Sequence, residues 1–149
     1  MTASPERDTV SFDVMDSLVQ ASFSVVALLS EVAAAHDLSL TQLRVLAILR
    51  DREPKMAQLA AHLGLERSSV SGLIDRAVQR GFVRRDASSD DGRAVRVSLT
   101  PDGQRLASVL TEEIGGRITP MTRGLGPADQ KRLSTLLNRV LETTTPRLR

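Results

Sequence analysis

Residues 54 to 100 constrain the fold more than any other part of the chain, because the spacing of their apolar residues changes within a short distance. Apolar residues first recur every three or four positions in two short runs separated by Gly64, a spacing typical of helices. After Gly81, apolar and polar residues alternate on either side of a connection rich in Asp, Ser and Gly, as in a β-hairpin. The stretch therefore predicts two short helices, a tight turn between them, and a hairpin.

The two predicted helices cover residues 55–63 and about 67–80, and each has one apolar face. Two helices joined by a tight turn that contains Gly form a helix-turn-helix arrangement. Small polar and charged residues form the outer face of the second helix: Arg67, Ser68, Ser69, Ser71, Gly72, Asp75, Arg76 and Gln79. Because such residues let a helix backbone approach a surface and still form hydrogen bonds, this face is a candidate recognition surface.

Apolar helices are also predicted on both sides of this stretch. Their ranges are about 8–35, 40–50, 102–121 and a last helix that ends near 144, after a polar start at 1–7 that is expected to be disordered. Ser39 and Gln42 form a capping box for the second of these helices. The first helix is apolar over so much of its circumference that it needs more than one partner surface. Either it is central in a monomer, or one flank packs on another subunit.

The composition excludes several kinds of site. At 149 residues the chain is long enough for one domain with a hydrophobic core. It has no cysteine, which excludes disulfides and thiolate metal sites, and its two histidines lack the carboxylates needed to complete a metal site. No catalytic triad, phosphate-binding loop or carboxylate pair is recognisable, so we expect neither an enzyme nor a bound cofactor.

The protein is expected to be cytoplasmic. Ser, Gln, Glu and Asp interrupt every apolar stretch before it reaches the roughly 18 uninterrupted apolar residues of a membrane span. The first ten residues, MTASPERDTV, have acidic residues where a signal peptide has a basic region followed by an apolar one. We therefore predict no membrane association.

Charge is distributed unevenly, although the formal net charge is only +2. Residues 1–40 hold one basic and six acidic residues, whereas residues 41–149 hold nineteen basic and twelve acidic residues. Eighteen of the 20 basic residues are Arg, whose forked guanidinium suits phosphates and guanine edges. A GC-rich genome would also raise the Arg content, so the Arg excess by itself is weak support for nucleic-acid binding.

The order of these elements and two sequence segments resemble the MarR family of bacterial winged helix-turn-helix regulators. The segments are AQLAAHLGLERSSVSGLIDRAVQRGFVRR, similar to the family's helix-turn-helix, and DDGRAVRVSLTPDG, similar to its wing and the start of its fifth helix. The resemblance covers about residues 8–145. Two positions depart from the family pattern: Gly92 stands where the wing commonly has Arg, and Glu66 stands where a Ser or Thr helix cap is more usual.

The resemblance implies a mainly α fold with a small β-hairpin wing, in an obligate homodimer. Residues 8–38 and 102–145 would form the dimerisation helices, and residues 39–100 the winged helix-turn-helix lobe that binds DNA. A two-fold dimer reads two half-sites about one helical turn, roughly 34 Å, apart. The expected function is that of a repressor that binds a pseudo-palindromic operator in double-stranded DNA and is released by a small apolar or phenolic anion.

The residues expected to contact DNA lie on the second helix of the motif and around the hairpin. Arg67, Ser68, Ser69, Ser71, Gly72 and Arg76 are expected in the major groove or on adjacent phosphates. Arg93, oriented by Asp91, is expected to enter the minor groove, and Lys55, Arg84 and Arg85 are expected to contact phosphates. Asp75 is expected to brace the hairpin in an ion pair, with Arg76 as the candidate partner. The alternative for the helix face and the phosphate contacts is an ordinary solvated surface, and for Arg93 it is a disordered surface loop.

Phe12, Phe23 and His62 are the candidates for an effector pocket between the dimer helices and the winged lobe. Alternatively, the two Phe side chains pack in the core or the dimer, and His62 is a solvated or hydrogen-bonded histidine. A winged-helix module that binds protein rather than DNA is the second candidate function. It is disfavoured because the outer Ser and Arg face lacks the aromatic residues enriched in protein interfaces.

Overall fold

The computed structural model describes residues 11–87 and 92–144, and these form six helices and one β-hairpin. The elements are α1 (Phe12–Ala35), α2 (Leu40–Leu49), α3 (Met56–Leu63), α4 (Arg67–Gln79), β1 (Val83–Ala87), β2 (Val95–Leu99), α5 (Pro101–Thr122) and α6 (Pro127–Thr144). The predicted mainly α fold with a hairpin is confirmed. The predicted disorder of residues 1–7 and the position of Asp91 lie outside the described residues.

Side chains cap two of the helices as their sequences predict. The Ser39 hydroxyl accepts a hydrogen bond from the Gln42 N–H at 3.1 Å, and the Gln42 side chain accepts one from the Ser39 N–H at 2.7 Å. This reciprocal capping box starts α2. At the start of α5, the Thr100 hydroxyl accepts a hydrogen bond from the Gly103 N–H at 3.1 Å, and Pro101 occupies the first helical position.

Three helices end in a residue with a left-handed backbone: Asp37 after α1 (φ 55°), Gly64 after α3 (φ 66°) and Gly81 after α4 (φ 78°). After each, the next N–H returns to a carbonyl inside the helix, which satisfies part of its C-terminal end. The Leu65 side chain is 38% exposed, so it does not fill the turn between α3 and α4. The turn is therefore held by main-chain hydrogen bonds and the conformation of Gly64.

The hairpin has a third backbone partner that the sequence did not predict. β1 and β2 pair antiparallel, with Val83 opposite Leu99. On the other edge of β2, the Val97 N–H donates to the Pro54 carbonyl at 3.0 Å, and Lys55 forms an isolated bridge with Arg96. The segment before α3 is thus a short edge strand in effect, and β2 is hydrogen-bonded on both sides.

The hydrophobic core lies between α2, α3, α4 and the hairpin, where most of the buried residues are found. α1 contributes only Val32 and Ala33 to the buried set from its length of 24 residues. The largest fully buried side chains are Leu49, Leu59, Ile74, Val32, Val70 and Val97. Within α2, Val45 and Leu49 are buried, whereas Ala47 is exposed.

The start of α5 packs directly on the chain between α4 and β1. Thr100 donates hydrogen bonds to two carbonyls of this turn, from its hydroxyl to Gly81 at 2.5 Å and from its N–H to Phe82 at 3.0 Å. A side chain at Gly103 would collide with the Phe82 carbonyl. The absence of a side chain at Gly103 therefore allows α5 to approach the end of α4 closely.

The outer parts of α1, α5 and α6 expose large apolar side chains. α6 has no buried residue among its 18 described positions, and its apolar stripe is 40 to 55% exposed. The stripe consists of Leu133, Leu136, Leu137, Val140 and Leu141. By length and composition alone, α1 is apolar enough to cross a membrane, with a mean hydropathy of 1.7. Its C-terminal end, however, packs into the core of the lobe through Val32 and Ala33.

Candidate nucleic-acid interface

A cleft of about 720 Å³ lies between the start of α3, the start of α4 and the wing. Its lining includes five of the residues predicted to contact DNA: Lys55, Arg67, Ser68, Ser71 and Arg93. Met56, Ala57, Ala94 and Val95 complete it. Three basic side chains far apart in sequence therefore converge on one concave surface.

The outer face of α4 continues from this cleft. Val70, Leu73 and Ile74 hold the opposite face of the helix in the core, so the outer face is fixed toward solvent. Ser68 and Ser69 are exposed on it. Nη1 of Arg76 lies 3.7 Å from the position that a Cβ atom of Gly72 would occupy, so the Arg76 side chain extends back over Gly72. A Cβ atom at position 72 would therefore meet the Arg76 side chain in ordinary van der Waals contact.

Asp75 braces the wing, but its partner is Arg85 rather than Arg76. Nη1 of Arg85 lies 2.7 Å from Oδ1 of Asp75, and Nη2 of Arg85 donates to the Ser71 carbonyl at 3.3 Å. Arg85 was expected to contact phosphate. These two contacts hold the guanidinium against α4 and fix the angle between β1 and α4, while the contact of Arg85 with phosphate stays a prediction.

Arg84 lies on the other face of β1 and remains available to an external partner. Its Nε donates to the Ser98 hydroxyl at 3.1 Å and lies 3.2 Å from Oδ2 of Asp86, yet the side chain is 59% exposed. Exposed pairs of this kind contribute little to stability, so Arg84 can exchange them for a phosphate at small cost.

Lys55 lies just before α3 and Arg93 lies just before β2. The Lys55 N–H donates to the Gln58 side chain at 2.9 Å at the start of α3. Arg93 precedes β2 and lines the cleft. Asp91, expected to orient Arg93, lies outside the described residues. Glu66 makes no side-chain capping hydrogen bond at the start of α4.

The three effector candidates are not gathered on one described element. Phe12 and Phe23 are 71% and 70% exposed on α1, whereas His62 is half-buried on α3. The exposure of the two rings fits their alternative role, which is packing against another chain.

An apolar cavity that the sequence did not predict lies between α2 and α4, but at about 10 Å³ it has room for one water molecule at most. Within residues 11–87 and 92–144, no three His, Asp or Glu side chains cluster as a metal site would require.

Comparisons with known proteins agree with the fold. A family model described as MarR family matches residues 36–94. An uncharacterised HTH-type transcriptional regulator of Bacillus subtilis (strain 168), YfiV, is 30% identical over 110 residues, which are 71% of this chain and 69% of that protein. The crystal structure of NadR in complex with 4-hydroxyphenylacetate superposes with a TM-score of 0.76 at 23% identity, covering 93% of this chain and 97% of NadR. A mutant of MarR from E. coli in complex with operator DNA gives a TM-score of 0.68 at 23% identity, covering 87% of this chain and 94% of MarR.

Proposed function

This chain belongs to the MarR family of transcription regulators, and we propose that it is a homodimeric repressor that binds a pseudo-palindromic operator in double-stranded DNA. The observation that carries the proposal is the cleft in which Lys55, Arg67 and Arg93 converge from α3, α4 and the wing. Basic side chains that meet on a concave surface suit a phosphate backbone, because the counterions they displace favour binding.

In this proposal α4 reads the major groove. Its outer face carries Ser68, Ser69 and Gly72, which are small enough for the helix backbone to approach the base edges. Arg76 supplies a forked donor on the same helix. Arg93 enters the adjacent minor groove, where Asp91 would orient it, and Arg84 and Lys55 contact phosphates.

The exposed apolar parts of α1, α5 and α6 support a homodimer. We call these three helices the helical frame, and residues 39–100 the winged lobe. A face of closely spaced Leu and Val side chains on α6, with none of them buried, is unfavourable in water and is explained by a second copy that covers it. A two-fold dimer of frames presents two lobes to two half-sites roughly 34 Å apart.

The proposed effector is a small aromatic or apolar acid. NadR was crystallised with 4-hydroxyphenylacetate, which has this chemistry. Phe12, Phe23 and His62 are our candidates to line its site where frame and lobe meet. The effector would favour the dimers whose lobe separation no longer matches the operator, and so release the DNA. We place the protein in the cytoplasm and assign it no catalytic activity.

Gel-shift titration on genomic duplexes, including the region upstream of its own gene, tests the proposal. Each duplex is titrated at several salt concentrations with the wild type, Arg93→Ala and the control Arg105→Ala. Arg105 is exposed on α5, where it pairs with Asp102. We expect Arg93→Ala to bind about tenfold more weakly, with a salt slope smaller by about 2 for the dimer, because one basic side chain is removed from each half-site.

Two results would contradict the proposal in different ways. If no duplex is shifted at nanomolar to low micromolar wild-type protein, the protein is not a DNA-binding regulator. If the wild type binds and Arg93→Ala matches it in affinity and slope, Arg93 is not part of the interface. If Arg93→Ala binds more weakly, the Arg105→Ala control shows whether the loss is specific to position 93 or follows from losing any positive charge.

A further inference from the structure

The C-terminal end of α1 has no positive charge of its own. The carbonyl end of a helix is partly negative, yet the last turn of α1 contains no basic residue. Asp37 then adopts its left-handed conformation, and the Leu38 N–H returns to the Ala33 carbonyl at 2.9 Å. The carbonyls of His36 and Asp37 therefore lie beyond the hydrogen-bond ladder of the helix and require donors from elsewhere.

Arg80, the residue that follows α4, supplies these donors. Its Nη1 donates to the Asp37 carbonyl at 2.8 Å, and its Nη2 donates to the His36 carbonyl at 3.3 Å. The guanidinium carbon also lies 5.1 Å from the centre of the Phe82 ring, within the range of a cation–π contact. A side chain from α4 thus places its positive charge at the negative end of α1.

The same turn is connected to α5. Nε2 of His36 lies 2.8 Å from Oε2 of Glu113 in the middle of α5. One helical turn farther along, Arg117 of α5 contacts Glu31 of α1 at 2.6 Å. Residues 36–38 therefore join the reading helix α4 to two helices of the frame.

We propose that Arg80 is a positioning residue that fixes the angle of α4 relative to the helical frame by capping α1 from another helix. The inference rests on the proposed function, because this angle matters only if two copies of α4 must match two half-sites. Arg80 uses its guanidinium fork within the protein, so its replacement leaves every DNA contact in place. The replacement instead loosens the separation and orientation of the two reading helices.

The test compares Arg80→Gln with the control Arg105→Gln, which removes the same charge from an exposed position on α5. The duplexes are the strongest site that the wild type selects from random sequence, and versions with half-site spacing changed by one or two base pairs. Arg80→Gln should bind the selected spacing about tenfold more weakly and the altered spacings nearly as well as the wild type does, which flattens the preference. Its salt slope should equal that of the wild type. Arg80→Lys keeps the positive charge but loses the forked pair of donors. Its affinity and its spacing preference should therefore lie between those of Arg80→Gln and the wild type.

A wild-type spacing profile for Arg80→Gln overturns the inference. The inference is also overturned if Arg80→Gln weakens binding equally at every spacing and lowers the salt slope by about 2. That result is expected when a residue that binds phosphate is removed from each half of the dimer. Hydrogen exchange without DNA gives a separate answer. Amides of residues 33–38 should exchange faster in Arg80→Gln than in the control, and unchanged exchange refutes the cap. If the wild type binds no duplex, the proposed function fails, while hydrogen exchange still decides whether Arg80 caps α1.

Discussion

The winged lobe and the helical frame bury their apolar side chains to very different extents. In the lobe, Leu59, Ile74 and Val97 are among the largest fully buried side chains. In the frame, Leu137 and Val140 of α6 are 41% and 45% exposed, and none of the described α6 residues is buried. The lobe is therefore stabilised within one chain, whereas the frame holds apolar surface that the described residues leave uncovered.

The stability of the lobe and that of the frame should depend differently on protein concentration. The free energy of folding of the lobe comes from contacts that are independent of protein concentration. That of the frame includes association, so it depends on concentration. A substitution in the frame should therefore alter assembly first, and one in the lobe should alter unfolding first.

Leu137→Glu in α6 should have the largest effect, because it places a charge in the proposed subunit interface and leaves the lobe intact. Burying an unpaired carboxylate costs several kcal/mol, and a two-fold dimer would bury two. We expect light scattering to find a single chain of 16.2 kDa at micromolar concentration. Operator affinity should fall by more than about 100-fold, because one lobe alone loses the benefit of two linked sites.

Asn138→Glu is the matched control for this variant. It adds a negative charge at the next position, which helical periodicity turns away from the apolar stripe. It should remain dimeric and bind DNA. A dimeric Leu137→Glu protein would show that α6 is not in the interface.

Gly103→Ala tests the junction where the two regions meet. Its new methyl group would collide with the Phe82 carbonyl, and backbone atoms cannot move aside as a flexible side chain can. We expect a loss of about 3 kcal/mol in the free energy of unfolding, measured with urea and far-UV circular dichroism. Gly116→Ala, in the same helix with no atom within 4 Å of its new Cβ, should instead add about 0.5–1 kcal/mol. Equal stability of the two variants would contradict the close approach.

Asp51→Asn should give the smallest effect and probes the link between α2 and α5. Arg50 donates hydrogen bonds to Asp51, which lowers the pKa of this carboxyl below its ordinary value of 3.8. Arg50 also donates to the Thr111 hydroxyl on α5 at 3.0 Å. Because the folded-state pKa is lowered, the carboxylate stabilises the fold above its ordinary pKa, and this stabilisation is lost as the pH falls through the lowered value.

The wild type should therefore be slightly more stable than Asp51→Asn at pH 7, and the difference should disappear in acid. Paired urea-unfolding curves over this pH range measure it. The effect is small because the pair is exposed to solvent. A difference that stays constant with pH would mean that the interaction does not depend on the charge of Asp51.

Features set by neighbouring residues were predictable from the sequence. The capping box of Ser39 and Gln42 and the left-handed backbones of Gly64 and Gly81 depend on residues within one helical turn. The outward face of α4 was also predictable, because helical spacing alone determines which residues lie opposite Val70 and Ile74.

Features set by packing between distant segments were not predictable in the same way. The ion pair of Arg85 with Asp75 depends on the angle between β1 and α4, which no local pattern specifies. The hydrogen bond from Val97 to Pro54 joins segments more than forty residues apart, and no local pattern near Pro54 indicates an edge strand. Arg80 was interpreted as the last residue of a helix, since its acceptors on His36 and Asp37 become neighbours only in the folded chain.

The uncovered stripe on α6 also has a genetic consequence. A chain with an intact frame and a defective α4 still pairs with normal chains, and random pairing makes mixed dimers an abundant species. Such a dimer holds one half-site only, so the defective allele suppresses the product of the normal one. A chain whose α6 cannot pair does not enter dimers, so the normal chains still form dimers with each other. In cells that carry both alleles, we therefore expect mutations on the outer face of α4 to be dominant and mutations in the α6 stripe to be recessive.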